Sequence, residues 1–307
     1  MSGRATDSLA SWLDGRPHWL VSLAKTLLVF IALGYALTTA YGIWQNYSEV
    51  PVWDMWNGYL KFYYLSQQEG WPLWFSQHNE HRLALGRIFF WLDMHFFHGN
   101  LMFLVAMNFV FSTLLFLTLF LVFKRLQASK DSLLLYFGML LLVFFCFSWL
   151  QHENYIWAFQ GQFHMAYLLP LWSFLALAKT GEKGDLHWFL LALALGAASM
   201  VTMANGVLAL PIMVCASLLL GVRRRYTLIL LVATLLLLWL YFANYQAVSF
   251  HPSMRDGLLN NPKGSFLYFV RYLSGPFGMA ADRNPVVGIL AGGGFVLVCA
   301  YVAFRAW

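Results

Sequence analysis

Charge is scarce in this chain. Asp, Glu, Lys and Arg make up 10% of the 307 residues, against roughly 25% in soluble domains. Hydrophobic residues make up 61%. A single core of this size cannot hide that much apolar surface, which argues against a soluble globular fold. Cysteine is scarce too. Cys146, Cys215 and Cys299 lie far apart inside apolar runs, with no CxxC pair. That spacing gives no support to a disulfide framework or a zinc cluster and suits packing thiols. No internal repeat, low-complexity tract or soluble-domain stretch interrupts the chain.

What is present is apolar length. Runs of about 20 residues recur, the length that spans a bilayer core as a helix. Eight are expected to cross: 19–44, 100–123, 132–150, 163–179, 187–203, 206–221, 227–247 and 286–304. The expected fold is an all-α integral-membrane protein, one transmembrane domain over 1–307. The fifth and sixth runs are parted only by Met203-Ala204-Asn205-Gly206, so a tight turn is expected at Asn205-Gly206. The first run follows Arg4 and Arg16. Thr38 and Ala40 would suit a signal-peptidase site, but the run is long for a cleaved signal and reads as an uncleaved anchor. The chain ends just past its last run, as a complete small protein or as the front part of a longer one. Aromatics are abundant at 19%, with 14 Trp and 15 Tyr, residues that favour membrane–water interfaces.

The cations set the expected topology. Arg4 and Arg16, Lys124, Arg125 and Lys130, Lys179 and Lys183, Arg223 to Arg225, and Arg305 all fall in short connections on one side of the eight-span arrangement. Short basic connections face the cytoplasm. Both termini are then cytoplasmic, as in a bacterial inner-membrane protein, and the net charge of +6 reports topology rather than nucleic-acid binding. The outer side carries two long segments, about 45–99 and 248–285, and a shorter one near 151–162. Eight of the 13 acidic residues lie there, which places the chemistry outside.

In the first outer segment, Asp54 stands between Trp53 and Trp56. The stretch 55–65 is expected as a helix lying in the interface, ended by Gly70-Trp71-Pro72. A second interfacial helix is expected over 83–97. Leu85, Ile88, Phe89 and Leu92 share one face of it, while Arg82, Arg87 and Asp93 hold it out of the bilayer. At its start sits Ser76-Gln77-His78-Asn79-Glu80-His81-Arg82, where helix-terminal N–H groups and Arg82 would favour an anion. The HxxH spacing would put His78 and His81 on one helix face, and His95 and His98 repeat it. A metal pair is one reading and polar interfacial histidines the plainer one; no metal ligand is assigned. In and just past the short segment, His152, Glu153, Asn154, Gln160, Gln162 and His164 occur within 13 residues, close to Trp149 and Trp157, a mix of aromatic faces and polar groups suited to sugars. In the last segment Arg255, Lys263, Arg271 and Arg283 run against the charge bias and invite a lipid phosphate or pyrophosphate. Pro252, Pro262, Gly264 and Pro285 are expected to set its turns.

This order of features resembles the GT-C superfamily of integral-membrane glycosyltransferases. Its members follow their first span with a long outer loop that holds two interfacial helices and an acidic residue near its start. A bundle with short connections comes next, then a second long outer loop after the seventh span. Asp54 in Val50-Pro51-Val52-Trp53-Asp54-Met55-Trp56 occupies the place of that acid; a paired DxD motif and the WWDYG signature are absent. The resemblance implies transfer of a sugar from a polyprenyl-phosphate donor to an envelope glycan, lipid or protein acceptor, with membrane lipids as further partners. Asp54 is the first candidate for general base, followed by Glu80 and Glu153. His78, Asn79, His81, Arg82, His152, Glu153 and Gln160 are candidates for substrate binding. Arg82, Arg255, Lys263, Arg271 and Arg283 are candidates for the leaving phosphate. No cofactor is assigned, and a divalent cation such as Mg2+ stays open. Competing readings are a lipid or glycolipid transporter, a membrane metalloenzyme and a structural partner in an envelope assembly. Transport would place ionisable groups inside the spans, where the sequence has few.

Overall fold

A computed structural model of the chain describes residues 17–127, 132–248 and 254–306. Arg4, Arg16, Lys130 and Pro252 of the sequence reading lie outside these residues. The chain divides into two units, Met1–Gln246 and Ala247–Trp307.

The first unit opens on α1, His18–Gln45. Pro17 precedes it, and Asn46 closes it by donating from its side chain to the Gly42 carbonyl at 2.8 Å. A π-helical stretch, Trp56–Lys61, leads into α2, Phe62–Glu69. Gly70, at φ 70°, ends α2, and the single turn α3, Trp71–Trp74, follows. Two short strands come next, β1 (Gln77–His78) and β2 (His81–Arg82), antiparallel to each other. Then come α4 (Ala84–Phe96), α5 (Met102–Leu126), α6 (Leu133–Cys146), α7 (His152–Ile156), α8 (Gly161–Lys183), α9 (Leu186–Met200), α10 (Ala209–Leu219) and α11 (Arg224–Phe242). Ser132 caps α6 by accepting from the Leu135 N–H.

Apart from the short β1–β2 hairpin, the protein is a helical membrane protein. Helix occupies each of the eight stretches expected to cross. Among the described residues four helical segments are long and apolar enough to do so: His18–Gln45, Met102–Leu126, Leu133–Ile156 and Arg224–Phe242. Leu186–Met200, Ala204–Leu219 and Pro285–Tyr301 are apolar but shorter. The break near Asn205 is a 3-10 turn, Ala204–Leu208, rather than a two-residue turn. A side chain at Gly206 would collide with the Ser199 carbonyl, so only glycine fits there.

The two helices expected at 55–65 and 83–97 are found, but the second faces the other way. Arg87 is 4% exposed and Asp93 0%, while Ile88 is 43% exposed. The sequence reading had these charges holding α4 out of the bilayer. In a chain surrounded by lipid the charges turn inward, to polar partners, while Ile88 turns out and Leu85 and Phe89 pack half-buried against the cluster around Phe111 and Met165. Arg87 donates from Nη1 to the carbonyls of Leu73, Trp74 and Ser76, at 2.6, 2.9 and 2.8 Å. Its guanidinium also lies 5.0 Å from the Phe62 ring centroid. Met55, Tyr59, Leu83, Phe90, Leu104, Tyr155 and Phe159 form the apolar core around them.

The second unit holds α12 (Met254–Asn260), α13 (Pro262–Tyr272), α14 (Gly278–Arg283) and α15 (Pro285–Ala306). Pro262 and Pro285 were expected to make turns. Both instead open helices, where the missing N–H is no loss, and Gly264 lies in the first turn of α13. The Asn261 side chain accepts from the Gly264 N–H at 3.0 Å and starts that helix. Helices α13 and α15 cross at Gly292, where any side chain would strike the Val270 carbonyl.

Candidate functional site

The polar stretch 76–82 is a hairpin and not the start of a helix. Gln77 pairs with Arg82 and His78 with His81. Asn79, at the first turn position, takes φ 49°, a left-handed conformation that asparagine tolerates. His78 and His81 are therefore cross-strand partners, not neighbours on a helix face as the HxxH spacing suggested. The second pair differs: His95 stacks on Trp91 at 4.4 Å, and His98 lies past the end of α4.

Distant segments hold the hairpin. Arg82 donates from Nε to the Tyr241 carbonyl at 2.7 Å, from Nη1 to Phe75 at 2.6 Å and from Nη2 to Ala243 at 2.6 Å. Its fork serves as a strut to the carboxyl end of α11, where a cation also meets the negative end of the helix. The expected phosphate ligand thus has three of its five N–H donors engaged by backbone. The Gln77 amide both donates to and accepts from the backbone of Gln246, at 2.7 and 2.9 Å. His81 Nδ1 accepts from the Ala204 N–H at 3.0 Å. The proton is then on Nε2, which faces Glu80 Oε1 at 3.5 Å.

Asp54 lies half-buried at the start of the π-helical stretch, its carbonyl accepting from the Gly58 N–H at 2.6 Å. Gly58 is where this stretch meets the hairpin. A Cβ there would sit 2.6 Å from Phe159 Cζ and 3.1 Å from His78 Cε1. Burial pushes the His78 imidazole below its ordinary range; Asp54 and Glu80 pull it up, and Arg87 and His81 push it down. His78 is neutral at pH 7 by this balance. Asp54, His78, Glu80, His81 and Arg87 thus form one electrostatic cluster. Burial, and secondarily Arg82, brings Arg87 down to about 10, so it stays charged. Asn79 lies at the hairpin tip, where its carbonyl accepts from the Gln77 side chain at 2.6 Å.

The segment 151–160 forms a further wall. Phe159 stacks on Phe90 at 4.9 Å and meets the His78 ring at 5.7 Å. Trp157 lies 5.2 Å from Trp53, edge to face. Gln160 is buried with Oε1 unpartnered, whereas His152 and Glu153 are exposed on α7. Asn108 of α5 fixes this wall by donating to the carbonyls of Tyr155 and Trp157, at 3.2 and 3.0 Å. Sequence reasoning missed Asn108, Gly58 and the inward role of Arg87. A lone amide inside the apolar run 100–123 was the available signal for Asn108.

Arg255, Lys263, Arg271 and Arg283 belong to the second unit, on α12, α13, α13 and α14, and all four are exposed. Among the described residues no group of three or more His, Cys, Asp or Glu side chains is gathered to hold a metal ion.

No protein-family model, curated protein or solved structure matches the chain. A half-buried carboxylate, a neutral imidazole and a second carboxylate lie beside aromatic rings, with two guanidiniums behind them. Such a set can take a proton from a hydroxyl and favour negative charge nearby.

Proposed function

We propose that the chain is an integral-membrane glycosyltransferase of the GT-C kind. It moves a sugar from a polyprenyl-phosphate donor to an envelope glycan, lipid or protein acceptor at the outer face. The observation that carries this reading is the convergence of Asp54 on the 77–82 hairpin beside the Trp157–Phe159 wall. The eight-crossing topology, with both termini cytoplasmic, is part of the same proposal and puts this cluster outside.

In the reaction the acceptor oxygen attacks the anomeric carbon while Asp54 takes the hydroxyl proton. The bond from that carbon to the phosphate oxygen breaks, and the lipid phosphate leaves with the electron pair. The charges of Arg87 and Arg82, although their N–H groups serve the backbone, favour that developing anion. Glu80 is the second candidate base. Purified protein in nanodiscs would be assayed with a polyprenyl-phosphate sugar and crude envelope acceptor, wild type beside Asp54→Asn and Glu80→Gln. Loss of transfer in Asp54→Asn is expected; full transfer by both variants rejects the assignment.

One observation favours a lipid transporter instead. A cleft of about 330 Å3 lies between α9 and α11, lined by Ala197, Met200, Val201, Leu237 and Leu240 with Arg82 at its polar end. Lipid movement across vesicles without sugar transfer would select that reading.

A further inference from the structure

Trp53 combines three properties that a membrane anchor does not need together. It is 68% exposed. Its backbone sits at φ 49°, a conformation that bulky residues rarely adopt. Its ring is braced edge to face by Trp157 at 5.2 Å. Exposed Trp56 and Trp71 show no such backbone. The next residue is Asp54. Two residues beside this pair carry buried polar atoms with no partner: Trp157, at Nε1, and His78, which feels the Asp54 charge, at Nε2.

We propose that Trp53 and Trp157 form a saccharide-binding platform beside Asp54, which takes a pyranose ring of the acceptor. That the sugar is the acceptor's rests on the transfer reading; the platform itself does not. The ligand class follows from elimination. A lipid chain would cover the rings but leave the indole N–H and the imidazole nitrogen unanswered. A phosphate would suit the indole N–H but has no C–H face to lay on the Trp53 ring. A quaternary ammonium would suit the rings and Asp54 but cannot accept from an indole N–H. A sugar ring presents C–H groups to an aromatic face and hydroxyls that both donate and accept, and so answers every group present.

The test is saturation-transfer NMR on protein in nanodiscs, titrated with methyl α- and β-pyranosides of glucose, galactose and mannose, and separately with choline. Wild type should transfer saturation to ring protons of at least one pyranoside. Trp53→Gly, which suits the left-handed backbone, should weaken apparent affinity about five- to tenfold, while Trp53→Phe keeps most of it. No pyranoside signal, an undiminished signal in Trp53→Gly, or choline binding in place of sugar overturns the platform. The transfer assay separates the two proposals. A Trp53-dependent sugar signal with transfer untouched in Asp54→Asn keeps the platform and removes the enzyme reading. An Asp54-dependent transfer with no Trp53-dependent sugar signal does the reverse.

Discussion

Tyr59 donates its phenolic O–H to Asp93 Oδ2 at 2.6 Å, and neither side chain reaches solvent. The Leu101 N–H reaches the same oxygen at 3.3 Å. This bond ties the π-helical stretch that follows Asp54 to α4. Burial pushes the Asp93 carboxyl up, and the bonds from Tyr59 and Leu101 oppose the shift without cancelling it. Tyr59→Phe would leave the carboxylate with a single weak donor. It is expected to destabilise the first unit by about 1–3 kcal/mol, as for a buried acceptor deprived of its partner. A lowered thermal midpoint in nanodiscs checks this; an unchanged midpoint would mean that the pair is not closed.

The same carboxyl gives stability a pH dependence. A raised folded-state pKa means that the folded chain holds the proton more tightly than the unfolded one. The contribution is complete below the ordinary carboxylate pKa and is lost as pH rises through the folded value. Asp93→Asn keeps an acceptor for Tyr59 and has no proton to lose. Its thermal midpoint should therefore fall less than wild type between mildly acidic and neutral pH. Parallel curves for the two proteins would show that Asp93 does not titrate in the fold.

His78 reports on Asp54. Its imidazole is held below its ordinary range, so its own contribution to stability is present above the unfolded pKa and lost as pH falls through the folded one. Among the groups that pull the imidazole up, Asp54 acts most strongly and Glu80 less. Asp54→Asn should therefore lower the His78 pKa further, by more than Glu80→Gln does. Following the His78 Cε1 proton by NMR against pH measures this. No displacement in Asp54→Asn would separate the two residues and dissolve the proposed cluster.

Arg82 distinguishes a strut from a ligand. With three carbonyls on one guanidinium, Arg82→Gln is expected to destabilise the first unit by about 2–3 kcal/mol. Arg82→Lys should rescue little of that, because one ammonium cannot reproduce the planar fork. A thermal midpoint unchanged in both variants, with only donor affinity reduced, would return Arg82 to the role of phosphate ligand.

These residues also mark where sequence reasoning stops. Helices such as α1 and α5 are local: an apolar run of the right length is enough. The pattern of α4 was legible as amphipathic, but its sense was not. Periodicity says that Arg87 and Asp93 share a side, while only the surroundings say whether that side meets water, lipid or protein. The hairpin was hidden for another reason. Asn79-Glu80 lacks the glycine that announces a two-residue turn. Its fixing bonds run from Arg82 to Tyr241 and Ala243, 159 and 161 residues away. That Asp54 and His78 share the segment between the first two apolar runs was readable; that Gly58 is the contact between them was not, because a glycine in an aromatic stretch carries no pattern.

Gly58 therefore gives the most local test of the site. It is buried on the first turn after Asp54, and its missing side chain leaves room for Phe159 and His78. In Gly58→Ala the new methyl would stand 2.6 Å from Phe159 Cζ, inside contact distance, so the ring must move or the stretch carrying Asp54 must shift. The Phe159 ring is held by its stack on Phe90, which leaves the Asp54 stretch as the part that gives. A displacement of this size at a reacting group reduces turnover by about 10- to 100-fold. The gain of helix propensity, about 1 kcal/mol for alanine over glycine, offsets part of the steric cost to stability. The expected result is a large loss of sugar transfer with a small change in thermal midpoint. Wild-type transfer in Gly58→Ala would show that the spacing between the Asp54 stretch and the hairpin does not matter to the chemistry. A collapse of the thermal midpoint together with transfer would make Gly58 a packing residue alone.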